Sequence, residues 1–170
     1  MSPLLHKQRG ATLLIALVML LIVTLLAISS MRETTLESRM TGSALEQKRL
    51  FNSAESGLRD AEKRLTNLVR PPERCNGNNM SVTPLCILNR DPSYDTPDFT
   101  GSVAYKGSDN ATKPDRETSW YVIQAYVITP QYGDAMKGKG GIFAYEINSQ
   151  AKNSKGGKSI LRSVVVRQFN

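Results

Sequence analysis

Positions 11–31 carry no charge, no proline and no glycine, and nearly every one of them is apolar. At about 1.5 Å per residue such a run covers about 30 Å as a helix, the thickness of a bilayer's hydrocarbon core. His6, Lys7 and Arg9 precede it, and the mixed pair Arg32-Glu33 follows. Cationic flanks stay on the cytoplasmic side, so the N-terminus is expected in the cytoplasm and the rest in the periplasm. The pattern then changes without a break. Residues 32–70 contain no proline, and Phe51, Ala54, Leu58, Ala61, Leu65 and Leu68 recur at alternating spacings of three and four. That spacing predicts one apolar stripe on a periplasmic extension of the same helix, about 90 Å long in all. Glu55 with Arg59 and Asp60 with Arg64 stand four apart in the favourable order and read as a solvated face. Gly42 and Gly57 weaken the helix, with a bend expected near Gly42. Pro71-Pro72 ends it, because a residue before proline avoids helical angles.

Beyond the prolines the periodicity changes. Residues 71–118 hold both cysteines and many Asn, Asp and Ser, and read as irregular surface. Residues 119–129 are apolar on both faces, as in a central strand. Over 141–150, Phe143, Tyr145 and Ile147 alternate with Ala144, Glu146 and Asn148, which predicts a half-buried strand. Residues 159–169 are rich in β-branched side chains, and a shorter strand is expected near 102–106. The connections 130–140 and 151–158 carry Gly and Lys and suit hairpins. The fold class is therefore α+β, a long N-terminal helix packed on a three- to four-stranded antiparallel sheet. Its parts are a basic leader (1–10), a membrane-spanning helix (11–31), an amphipathic continuation (32–70) and a globular head (71–170).

Composition narrows the chemistry. The net charge is +7, and removing Lys7 and Arg9 with the leader leaves +5. The basic residues are scattered, so the excess reads as solubility, and nucleic acid is not expected as a partner. The one arrangement that would suit DNA is Lys137, Lys139, Lys152, Lys155 and Lys158 in two hairpin loops, with Tyr132 for stacking. Adjacent hairpins of a meander, however, turn at opposite ends of the sheet. Cys75 and Cys86 lie in an exported segment and are expected to form a disulfide, stabilising by about 2–3 kcal/mol. Zinc lacks ligands, since the only histidine is His6 in the leader. Asp91, Asp95 and Asp98 match no defined calcium loop. Gly133 to Gly140 nearly reads as a phosphate loop, but Gly140 stands where Ser or Thr is needed. With no histidine after the leader, neither a Ser-His-Asp nor a Cys-His arrangement is available. No catalytic residue, cofactor or metal is expected.

The glycine at position 10 sits between the basic leader and the apolar run. An ordinary secretory signal is cut after its apolar run, not before it. The leader Lys7-Gln8-Arg9-Gly10, followed by Ala11, resembles a prepilin peptidase site. The stretch Met31-Arg-Glu-Thr-Thr-Leu-Glu-Ser-Arg-Met-Thr-Gly42 and the later Ala54-Glu55-Ser-Gly-Leu58-Arg-Asp-Ala61-Glu62 are similar to the N-terminal region of PilX-like minor pilins. The resemblance to the type IV pilins covers about the first 65 residues; the rest agrees only in architecture. It implies cleavage after Gly10, an N-methylated Ala11, and a structural rather than catalytic subunit. It also implies a place first in the inner membrane and then in a cell-surface pilus. The implied partners are prepilin peptidase, the inner-membrane assembly platform, other minor pilins, the major pilin and a large tip adhesin.

The chain departs from the family pattern at three places. Ala11 replaces the usual phenylalanine. No proline interrupts 11–70, so the helix is expected to stay more continuous. The fifth mature position, a glutamate in most pilins, is Ile15. The resemblance assigns that glutamate to pairing with a neighbour's N-terminal amine, which Ile15 cannot do. The end of a filament is where the missing pair matters least, so a role in priming assembly within a tip complex is expected. Two other readings compete. A type II secretion pseudopilin has the same architecture, but its tip subunit carries a larger inserted domain than this chain has room for. Cleavage after Ser29, following Ala27-Ile28, would release a soluble periplasmic binding module.

Overall fold

A computed structural model of the chain describes residues 9–93, 95–107, 109, 111–125 and 141–169. The chain divides into two compact units, Met1–Leu45 and Glu46–Asn170. One helix, α1 (Arg9–Thr66), contributes to both. It is helical without interruption through Gly42 and Gly57. It stops earlier than the expected residue 70. Asn67 N–H still reaches Lys63 C=O at 3.1 Å, then Leu68 N–H turns to Leu65 C=O at 3.4 Å. This tightening leads the chain into Pro71-Pro72. Lys63 and Arg64 lie in the last turn, where positive charge suits the helix dipole.

In the first unit every side chain from Ala11 to Leu45 is exposed. Two hydroxyls within the apolar run are turned back on the helix. Thr24 Oγ1 donates to Leu21 C=O at 2.8 Å, and Ser29 Oγ donates to Leu25 C=O at 3.0 Å. A helix in lipid must satisfy its polar groups internally, and these two do so.

The second unit holds the sheet. Its strands are β1 (Val103–Ala104), β2 (Glu117–Gln124), β3 (Gly141–Lys152) and β4 (Lys158–Phe169), all antiparallel and in the spatial order β1-β2-β3-β4. β1 is shorter than the expected 102–106. β2 is described as far as Gln124, and Ala125 N–H continues its ladder to Ala144 C=O at 2.9 Å. The remainder of the expected strand, 126–129, and the hairpin 130–140 lie outside the described residues, as does most of the leader. β3 and β4 are joined by a tight turn. Asn153 Oδ1 accepts from Lys155 N–H and Gly157 N–H, and Gly156 takes a φ of 84° that a side chain would resist.

α1 covers one face of the sheet. Leu50, Ala54, Ala61 and Leu65 are buried against Trp120, Val122, Tyr145, Ile147 and Ala151. The other face is covered by the segment after Leu88. Arg90 lies over the Tyr121 ring at 4.7 Å, Phe99 meets the same ring edge-on at 5.2 Å, and Arg162 donates to Ser93 C=O. This layer corrects the half-buried reading of β3, whose residues Ala144 to Ala151 are buried on both faces. The alternating polar residues are paired rather than solvated. Asn148 Nδ2 donates to Glu146 Oε1 at 2.7 Å, and Arg162 Nε donates to Asn148 Oδ1 at 3.0 Å. Arg162 also lies 3.3 Å from the Glu146 carboxylate.

Candidate functional site

The sequence puts its functional signal at the start of α1. Gly10 and Ala11 both lie within the helix, and Ile15 is 57% exposed on it. Leu13, Leu14, Leu17, Val18, Leu21 and Leu25 are exposed in the same run, so apolar side chains point outward all round. A helix apolar on every side must be covered by lipid or by other helices. By length and composition α1 is one helix able to cross a membrane.

Lower on α1 the expected stripe is placed differently at its start. Ala54, Ala61 and Leu65 are fully buried, while Leu58 and Leu68 pack from the edge of the core. Phe51, in contrast, is 46% exposed, and Leu50 is buried in its stead. The correction follows from helical geometry. The buried line runs Leu50, Ala54, Gly57, Ala61 and Leu65, and Phe51 is rotated off it by one residue. The signal that hid this line is Gly57, which has no apolar side chain to count. A Cβ there would stand 2.7 Å from Ser149 Oγ and 2.9 Å from Thr118 Cγ2. Ser149 Oγ donates to Ala54 C=O at 2.7 Å, so backbone and sheet meet directly at this point.

Polar clamps flank the apolar contact. Arg116 grips Glu46 with two hydrogen bonds, Nε to Oε1 at 2.9 Å and Nη2 to Oε2 at 2.6 Å. Asn153 Nδ2 adds a third at 3.0 Å. These donors, Arg116 first and then Asn153, pull the Glu46 carboxyl from its ordinary 4.5 to about 2. Ser163 Oγ bonds Glu62 Oε1 at 2.7 Å, and Arg167 Nη2 donates to Leu68 C=O at 3.1 Å. The Asp60–Arg64 pair, expected as solvated, is largely buried at 2.9 Å, and Arg64 also donates to Gly107 C=O. Glu46 escaped the sequence reading because its partners lie in distant hairpins, with no local signal.

Cys75 and Cys86 form a disulfide with their Cα atoms 4.9 Å apart. Backbone pairing surrounds it, with Cys75 N–H to Ile87 C=O at 2.8 Å and Ile87 N–H to Glu73 C=O at 2.9 Å. Leu88 N–H then binds Val122 C=O at 2.9 Å, which fastens the loop to β2. Asp98 accepts from Thr100 N–H, Thr100 Oγ1 and Arg90, and its carboxyl is lowered by the Thr100 bonds first. Among the described residues no group of three metal-ligating side chains comes together. Lys152, Lys155 and Lys158 are exposed at the β3–β4 turn, whereas Tyr132, Lys137 and Lys139 lie outside the described residues.

Residues 9–59 match the family model described as PilX N-terminal. The matched stretch holds the whole apolar run, Ile15 and the first part of the buried line. No curated protein matches the chain. No solved structure matches it either.

Proposed function

We propose that the chain is a PilX-like type IV pilin, a reading supported by its N-terminal segment and its helix-on-sheet fold, and that it serves as a minor pilin that primes pilus assembly within a tip complex. The observation that carries this reading is the uncharged, wholly exposed stretch of α1 inside the family-matched segment. Lipid covers that stretch while the subunit waits in the inner membrane, with its N-terminus cytoplasmic and its head periplasmic. The helices of neighbouring subunits cover it after assembly. Gly10 is the last leader residue and Ala11 the mature, methylated N-terminus. Ile15 leaves the subunit without a carboxylate to offer a neighbour's amine, which fits the end of a filament rather than its shaft. The partners on this reading are prepilin peptidase and the assembly platform before extraction. Afterwards they are other minor pilins, the major pilin and a large tip adhesin. The subunit acts by packing, without catalysis or cofactor.

Intact mass spectrometry of the membrane-extracted chain, from cells with and without active prepilin peptidase, tests it. The expected mass begins at methylated Ala11 and is found only with the peptidase. A mass beginning at Ser30 in both strains would overturn the proposal and leave a soluble periplasmic module.

A further inference from the structure

β4 is the outer strand of the sheet, and no backbone group of the described residues pairs with its outer side. The ladder shows which of its groups face outward. Ala144 C=O points to β2, where it accepts from Ala125 N–H. Strand residues alternate in the direction of their backbone groups, so odd-numbered β3 residues face β4. In the β3–β4 register Tyr145 meets Val165 and Phe143 meets Arg167. The odd β4 residues therefore bond to β3. Ile160, Arg162, Val164, Val166 and Gln168 hold N–H and C=O toward the open side. An exposed strand edge of this length is a template for another chain.

Two further observations describe the strand that fits it. First, Val164 and Val166 are 57% and 62% exposed, and Ile142, 42% exposed, lies beside them on the same face. Natural edges are usually blunted by charge or proline, and here the segment Ser163-Val164-Val165-Val166 has neither. Second, Lys152 and Lys158 are register partners, two like charges directly opposite each other. That pairing is unfavourable in a sheet. On the far side of Lys152 the row continues to Glu117 on β2. The row thus reads carboxylate, ammonium, ammonium, then an open position beside Lys158. A carboxylate in that position restores alternation of charge.

We propose that β4 is the docking edge for an extended segment of another protein, added as a fifth strand. The segment bears a carboxylate facing Lys158 and apolar side chains facing Val164 and Val166. Main-chain bonds supply the affinity, and the spacing of acid and apolar residues supplies the specificity. A second copy of this chain fits the edge less well, since β4 contains no Asp or Glu to face Lys158.

The probe is a synthetic peptide of the length of β4, with aspartate and valine at the positions facing Lys158, Val164 and Val166. A scrambled peptide of equal composition is the control. Full-length protein in detergent is titrated with labelled peptide, and backbone amide exchange is followed in β4. The expected result is protection of the outward amides of Arg162, Val164 and Val166, with the scrambled peptide bound at least about tenfold more weakly. Val166→Pro removes one outward N–H and no ladder bond, so it is tolerated at an edge. It should keep the thermal transition of the parent and lose binding, and Lys158→Glu should weaken binding by about tenfold. Equal binding of the scrambled peptide, or undiminished binding by folded Val166→Pro, would overturn the proposal. So would a wild-type dimer that Val166→Pro converts to monomer, which would make the occupant a second copy.

Discussion

Gly57 sits where a side chain has no room. Replacing glycine with alanine in a helix ordinarily stabilises by about 1 kcal/mol. Here the new methyl would press on Ser149 Oγ and Thr118 Cγ2, both closer than 3.0 Å. Overpacking of this kind costs about 1–3 kcal/mol, so Gly57→Ala should destabilise the head by about 1–2 kcal/mol in denaturant titration. Gly42 is the contrast. Nothing lies within 4 Å of its notional Cβ, so Gly42→Ala should slow amide exchange in the flanking turns. The sequence marks both glycines as helix weakeners and cannot tell them apart, because only the sheet defines the difference. Glu46 is a second residue decided by remote partners. Its carboxyl falls from 4.5 to about 2 because Arg116 and Asn153 bond the charged form. A group lowered on folding stabilises above its unfolded value and loses that effect as pH falls toward the folded one. Melting temperature should therefore drop between about pH 4.5 and pH 2, and Glu46→Gln should flatten that part of the profile. An unchanged profile would mean that the clamp does not hold in solution.

At the level of elements, legibility followed locality. α1 could be read along nearly all its length because its signals are local: an uncharged run, a three-four stripe and a double proline. The start of the stripe was displaced, since Phe51 offers a larger apolar signal than the glycine that marks the buried line. β3 shows the opposite limit. Its polar alternation, Glu146 and Asn148 between apolar neighbours, is what a solvated face looks like. It is buried because residues after Leu88 fold over it, and nothing in that irregular stretch announces a covering layer. The disulfide loop connects these elements. It carries Ile87 and Leu88 to β2, so the bond's effect should appear at the sheet as well as in the loop. Paired Cys75→Ser and Cys86→Ser replacement should lower stability by about 2–3 kcal/mol. Amide exchange at position 75, Ile87 and Leu88 should quicken more than at β3. Equal acceleration everywhere would mean that the loop unfolds only with the whole head.

For the whole molecule, the chain combines a head that satisfies its own core with a helix that satisfies nothing outside lipid or a bundle. On the proposed function, the subunit changes surroundings once, from bilayer to filament, while its head stays folded. The position of Ile15 then becomes a question about neighbours. An unpaired carboxylate at membrane depth costs about 2.5–3.5 kcal/mol on insertion scales. That cost is recovered only where a cation, such as a neighbour's N-terminal ammonium, is held beside it. On the proposed reading, a shaft subunit has such a neighbour, and a subunit that begins the filament need not. Ile15→Glu therefore changes what the subunit can offer the next one. On the proposed reading, the variant should lose its restriction to the tip. Gold-labelled antibody against the head should mark the variant along filaments and mark the parent at their ends. Pilus number should fall as priming complexes lose the subunit to the shaft. Tip labelling and pilus number equal to those of the parent would mean that Ile15 does not confine the subunit to the tip. The exposed apolar run would then support membrane anchoring alone.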